Sequence, residues 1–286
     1  MTSAARPGAG TVLAMARLVD LGGVLAWMHD ECRPGASNSG IVIDEDGLTV
    51  IDAQLTPRLG AELFVAASEL GLPIRRLALT SSHMPFVGGS SAFSLPAVYG
   101  TRQISAHLDQ PANLDTCRAL YPDDVDELMA IEETACRRVT HTVAEGAWLT
   151  PSVVLAPVSG ELDENLIVQV PDAQVVFAGA MCSFGVTPMA GLGSPAAWAD
   201  ALDTILQWGE IFVPGHGPIG GREEVETLQA YLRACVEAEG DPSRLADGPW
   251  KAWPGTDYHR VNVDRAAALA AGDPAPQPSL LALMGL

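Results

Sequence analysis

The sequence predicts an α/β protein, a four-layer αββα sandwich of two mixed β-sheets flanked by helices. Three observations lead there. Short β-branched strand runs followed by helical stretches occur twice along the 286 residues, the rhythm expected when each of two sheets is covered on one outer face. The strand runs are bounded by Gly, Pro and Asp turn signals, and two helical runs open on Thr-Pro or Ser-Pro, a cap followed by the residue that best tolerates the first helical position. Hydrophobic residues make up 48% of the chain, enough for a substantial core.

The elements follow in order. Residues 1–10 (MTSAARPGAG) read as a disordered start, and Leu13–Val19 and Gly23–Met28 as a hairpin turning at Gly22-Gly23. A clearer hairpin joins Gly40–Asp44 to Leu48–Asp52 through Glu45-Asp46-Gly47, since a D-G step between β-branched runs is a strong turn signal. Thr56-Pro57 opens a helix with the stripe Leu59, Leu63, Ala66 and Leu70, ended by Gly71. Strands are expected at Ile74–Thr80 and Val98–Tyr99, then a helix near Thr101–His107 and another around Pro122–Cys136. Strands return at Ser152–Ala156, Leu166–Val170 and Val175–Ala178, the last two joined by Pro171-Asp172-Ala173. Ser194-Pro195 starts a helix to about Trp208, Ile211–Val213 is a short strand, and helices cover Arg222–Ala238 and Val261–Ala271. One domain is expected over 11–272. The tail 273–286, Pro-rich and then apolar, should dock on the body or on a partner.

Charge narrows the function classes. With 35 Asp and Glu against 16 Lys and Arg, the formal charge is −19. Binding to nucleic acid needs cations on phosphates, so nucleic acid is excluded as a partner, and an anionic membrane surface is disfavoured for the same reason. No run reaches the ~18 uninterrupted apolar residues of a membrane span, and the stretch Thr11–Trp27 is broken by Arg17 and Asp20 with no small-residue cleavage site after it. The five scattered cysteines form no C-x-x-C pair, which fits a reducing compartment rather than a disulfide scaffold. The expectation is a soluble, cytoplasmic protein with a small-molecule substrate, able to form a homo-oligomer.

Four segments, in order, resemble the metallo-β-lactamase superfamily. They are Asn38–Asp44 with Thr49–Asp52, Leu79-Thr-Ser-Ser-His-Met-Pro-Phe-Val-Gly-Gly89, Gly160–Pro171 running into Val176–Ala180, and Val213-Pro-Gly-His-Gly-Pro218. Asn262-Val-Asp-Arg-Ala266 also looks like that family's last helix, so the resemblance spans roughly residues 12–272. It implies the metallo-β-lactamase fold and, from similar chains, small-molecule hydrolysis at a two-metal centre. The metal positions carry over one by one. The three His and one Asp of the second motif fall on Ser81, His83, Pro85 and Phe86; the next His falls on Glu161, the bridging Asp on Ala180 and the last His on His216. Only His83 and His216 keep the family residue.

The chemical consequence is large. A dinuclear site needs two cations roughly 3.5–4 Å apart, each with about three protein ligands when catalytic, and Pro, Phe and Ala side chains supply none. The expected cofactor is none, or at most one weakly bound zinc on His83, Glu161 and His216. His83 sits on a loop at a strand end, where a lone histidine is often structural but a cleft position favours chemistry. His216 either serves the site or tethers its Pro-Gly-His-Gly-Pro turn. Glu161 has the reach of the imidazole it replaces and can act as ligand, general acid–base or solvated loop acid. Ser81 could form a nucleophilic pair with His83, although no G-x-S-x-G elbow supports it. Cys182 either fills core or offers a thiolate to the site. Met84, Phe86, Ala180, Cys182 and Phe184 are the expected pocket residues, joined by a Trp of the 250–253 loop. Asp52 should satisfy buried backbone donors, and His29, His107, His141 and His259 read as structural or surface residues.

Two functions stay open. The first is an enzyme that keeps the fold's cleft and uses side-chain acid–base chemistry for hydrolysis, elimination (a lyase) or cyclisation of a small apolar, natural-product-like molecule, with a mononuclear zinc hydrolase as a variant. The second is a pseudoenzyme that binds a small molecule or a protein without turnover. Ser, Pro, Phe and Ala at the vacated positions point to a reshaped pocket and favour the enzyme. Burial should raise the Glu161 pKa, and a neighbouring imidazolium should oppose that.

Overall fold

The computed structural model describes residues 16–30, 32–33, 35–128 and 135–286. Residues 1–10, the first part of the Leu13–Val19 run and the 129–134 portion of the Pro122–Cys136 helix lie outside the described residues.

Two mixed sheets form the centre. The first runs in the order β1 (Arg17–Asp20), β2 (Val24–Met28), β3 (Ser39–Asp44), β4 (Gly47–Ile51), β5 (Ile74–Ala78), β6 (Ala97–Gly100), β7 (His141–Thr142). The second runs β12 (Ile211–His216), β11 (Val175–Ser183), β10 (Asn165–Val170), β9 (Val154–Val158), β8 (Ala147–Trp148). Both hairpins read from sequence form: Arg17 pairs with Met28 across Leu21–Gly23, and Asp44 pairs with Gly47 across Glu45-Asp46. From β4 to β7 the neighbours are parallel, which requires crossover segments between strands.

The crossovers are α1 (Pro57–Ser68), α2 (Met84–Val87) and α3 (Arg102–Leu108), followed by α4 (Leu114–Leu120) and α5 (Val125–Leu128). Behind the second sheet lie α6 (Pro195–Ile205), α7 (Arg222–Glu237) and α8 (Asp257–Ala270), with α9 (Pro278–Leu283) at the tail. The predicted caps Thr56 and Ser194 are in place, their hydroxyls accepting from the backbone N–H of Leu59 and Ala197, and Thr101 caps α3 in the same way through Ile104.

Strand alternation explains the layers. On β10 and β11, Leu166, Val168, Val175 and Phe177 face the core between the sheets, with Ile41, Val50 and Val213. Their neighbours Ile167, Val176 and Ala178 face the outer core, with Trp198, Leu202, Leu228 and Leu232 of α6 and α7. The central strands β10 and β11 therefore bury both faces, which accounts for their near-continuous apolar runs.

The stretch 109–146 departs from its expected form. Among the described residues it carries α4, which was not expected, then a 3-10 turn at Pro122–Asp124 and α5, and Ala135 and Cys136 are not helical. A polar sequence of this kind gives no long apolar period to read. The tail does dock on the body: Leu280 is fully buried, close to Gly191 and Val261. The Arg265 guanidinium donates to the carbonyls of Gly193 and Pro274, tying the tail to the loop before α6. Among the described residues no helix is long and apolar enough to cross a membrane.

Candidate active site

The site grows from strand ends along one edge of the sandwich. After β4 the chain makes a strap in which Asp52 has φ +59° and Gln54 φ +72°. Asp52 accepts the Thr80 backbone N–H and hydroxyl, both at 2.7 Å. It satisfies one backbone donor, as expected, and a hydroxyl as well. Burial nevertheless pushes its pKa up to about 7 against these two bonds. Thr80 is fixed in this way, and the loop Ser81–His83 leaves β5 in a set direction. Gly88 and Gly89 pack so closely on this strap that a Cβ would collide with the Leu55 and Ala53 carbonyl oxygens.

His83, Glu161 and His216 then meet around one small cavity of about 60 Å³, with Phe86 and Ala180 also in its wall. His83 Nδ1 lies 3.2 Å from Glu161 Oε1. Glu161 Oε2 accepts from the Asn165 amide at 2.9 Å, and the Asn165 carbonyl oxygen accepts the Leu162 N–H, so β10 holds the acid's loop. Burial raises the Glu161 pKa, while His83 and then Asn165 oppose the rise. His83 Nε2 is buried and has no hydrogen-bond partner among the described residues.

His216 has a different role from His83. Its Nδ1 lies 3.0 Å from the Ala36 carbonyl oxygen. A carbonyl only accepts, so Nδ1 carries the proton and Nε2 is left as an acceptor. Burial holds its pKa down to about 4, leaving it neutral at neutral pH. Its ring tilts against Phe86, with centroids 5.5 Å apart. Asn38 supports the turn below by donating to the carbonyls of Pro214 and Gly217.

Other expected members are placed elsewhere. Ser81 is fully buried, and its Oγ accepts the His83 N–H at 3.4 Å; it is not in the cavity wall. Cys182 and Phe184 belong to the outer core of the second sheet, and burial raises the Cys182 thiol far above its ordinary range. Cys182 was expected on Ala180's side because strand side chains alternate. The pairing of β11 with β12 shifts register between Gly179 and Ser183, and such a shift breaks the alternation. Trp250 and Trp253 pack at a tilt against Tyr231, their centroids 5.6 and 5.7 Å from it, and do not wall the cavity. Trp198, Tyr121 and Tyr258 take that place, and nothing local in their sequence marks them.

Met84 lines a second, adjoining cavity of about 850 Å³. The two share His83, Leu120, Tyr121 and Met189. The larger one is walled mainly by apolar side chains between α3, α4 and the tail, and it was not legible in the sequence because its walls come from five separate segments.

The residues present do not fit a metal centre. Among the described residues no group of three or more His, Cys, Asp or Glu is placed to hold an ion. His83 and Glu161 spend their facing atoms on each other, and the His216 Nδ1 is bound to a carbonyl.

No protein-family model matches the chain, and no curated protein matches it. Solved structures do. A metallo-β-lactamase from Pseudomonas aeruginosa in its mono-zinc form superposes with a TM-score of 0.58 at 18% identity, covering 76% of this chain and 95% of that one. One from Hirschia baltica gives 0.58 at 20% identity, covering 76% and 97%. One from Pontibacter korlensis gives 0.58 at 17%, covering 77% and 99%. With its two mixed sheets, outer helices and strand-end site, the chain has the metallo-β-lactamase fold.

Proposed function

We propose that the protein is an enzyme that moves a proton on a small, apolar, uncharged molecule. The observation that carries this is the His83–Glu161 contact of 3.2 Å beside an unpartnered, buried His83 Nε2. Glu161 accepts at Nδ1 and thereby orients the ring, leaving Nε2 as the atom that takes the proton. A buried polar atom without a partner is costly, so a ligand atom that bonds Nε2 relieves a defect as it binds. His216, neutral and fixed by Ala36, offers an acceptor opposite, and Tyr121 keeps its phenol proton because burial raises its pKa. The adjoining cavity, at about 850 Å³, is within the ~300–1,000 Å³ typical of small-molecule sites. Elimination or cyclisation of an apolar substrate suits this set, because each needs a positioned base and little else.

The test uses 5-nitrobenzisoxazole, a neutral aromatic whose ring opens when a base removes one proton. The protein should accelerate the opening, and His83→Ala should lower the rate roughly 10²-fold or more. Glu161→Gln should lower it with the probe still bound. Equal rates in wild type and His83→Ala would overturn the assignment. A second reading, binding without turnover, is favoured by one observation: the cavity holding the pair measures only about 60 Å³, room for little more than water. Nile red bound in the large cavity, with no ring opening by any variant, would select it.

A further inference from the structure

Residues 82 and 83 are adjacent in sequence and make different contacts. His83 faces Glu161, whereas Ser82 Oγ lies 2.6 Å from His107 Nδ1, a contact between a loop after β5 and the last turn of α3. Both residues of this second pair line the large cavity of about 850 Å³. We propose that Ser82 and His107 form a nucleophile–base pair that cleaves esters of apolar acids bound in that cavity.

The chemistry needs a hydroxyl hydrogen-bonded to a base that is neutral at working pH. His107 meets the second condition: burial, and secondarily His83, hold its pKa below the ordinary value. With Nδ1 as acceptor, Ser82 attacks the ester carbonyl as its proton passes to His107. The C–O bond to the alcohol then breaks, and the alcohol leaves with that proton. Water, deprotonated by His107, attacks the acyl–Ser82 ester and releases the acid, restoring both residues. No redox partner or cofactor is required.

The substrate class follows from the walls. Leu108, Leu114, Leu120, Met189, Leu192 and Met284 supply a long apolar lining, which suits an aliphatic or aryl acyl group. Thr116 lies in the same wall at 7% exposure, and its Oγ1 has no hydrogen-bond partner among the described residues. A buried, unpartnered hydroxyl in a mainly apolar wall calls for one polar atom on the ligand. An acyl chain with a single hydroxyl or keto group away from the ester meets both requirements.

The experiment combines a fluorophosphonate probe with p-nitrophenyl esters of acetate, octanoate and hydroxyoctanoate. The whole protein should be labelled at Ser82, located by peptide mass, and should prefer octanoate to acetate. Ser82→Ala should abolish labelling, and His107→Gln should lower kcat/KM for the octanoate ester by about 10²-fold or more. Ser243→Ala, on the far surface, should match wild type. Thr116→Val should raise KM for the hydroxyoctanoate ester and not for octanoate. All variants are compared at equal folded fraction by near-UV dichroism. Labelling at another residue, or ester cleavage unchanged in folded Ser82→Ala, would overturn the proposal. Since 5-nitrobenzisoxazole has no acyl group, the two tests fail independently.

Discussion

Two buried carboxylates, one in each half of the molecule, have opposite designs. Asp52, on the strap after β4, is wholly occupied by the Thr80 N–H and hydroxyl, neither of which titrates near neutral pH. Glu161, on the loop after β9, has one oxygen on the Asn165 amide and the other on His83, a group that can itself gain or lose a proton and that borders two cavities. Burial raises the pKa of both acids, so the direction of the shift does not tell scaffold from site. The nature of the donor does. A carboxylate held by fixed donors positions a loop; one held by a titratable donor beside a cavity can take part in chemistry.

Substitutions can break this contrast. The largest stability effect is expected at Asp52→Ala, which leaves the Thr80 donors buried and unpaired at a cost of about 1–3 kcal/mol. Asp52→Asn keeps an acceptor and tolerates the positive φ, so it should lose less. Urea unfolding of both variants measures the difference, and a silent Asp52→Ala would end the scaffold assignment.

At His83 a smaller, pH-dependent effect is expected. His83 opposes the upward shift of Glu161, so His83→Ala raises that pKa further. A group whose folded pKa exceeds its unfolded one contributes stability that is lost as pH rises through the folded value. His83→Ala should therefore stay within ~1 kcal/mol of wild type at pH 5, with the gap widening towards pH 8. Infrared spectroscopy should show the protonated Glu161 carbonyl band persisting to higher pH. If His83→Ala unfolds at pH 5, the histidine is structural and the contrast fails.

His216 gives an effect of the opposite sign. Its folded pKa of about 4 lies below the ordinary 6.5, so its stabilising contribution, complete above pH 6.5, is lost as pH falls towards 4. His216→Asn should accordingly lose less stability than wild type on acidification from pH 7 to pH 4.5. A steeper loss in the variant, read by thermal melting at each pH, would mean that His216 is already charged in the folded protein.

Local chemistry made much of this legible from sequence. The hairpin at Glu45-Asp46 and the caps Thr56 and Ser194 each depend on a few adjacent residues, and each stands where it was expected. His83, Glu161 and His216 were found together because strand ends in this architecture share one edge. What failed depends on distance or register. Cys182 was misplaced by the register shift in β11, which no sequence period reveals. The contact between His107 and Ser82 was not read, because the two lie 25 residues apart. The aromatic walls came from Tyr121, Trp198 and Tyr258 rather than the 250–253 loop, because Tyr231 of α7 already occupies the Trp rings there.

Glu161 sits in a clasp of glycines. A Cβ on Gly193 would run into the Glu161 and Gly160 carbonyl oxygens, and one on Gly160 would stand 2.7 Å from the Met181 methyl and 3.0 Å from the Trp198 Cα. The backbone around the acid is thus clamped between the loop before α6 and the outer core, with no slack on either side. A clamp of this kind fixes the orientation of the acid during folding, so little reorganisation remains when its partners are met. It also ties the acid to the whole core: on heating, the His83–Glu161 contact has no separate way to loosen, and its loss should coincide with global unfolding instead of preceding it.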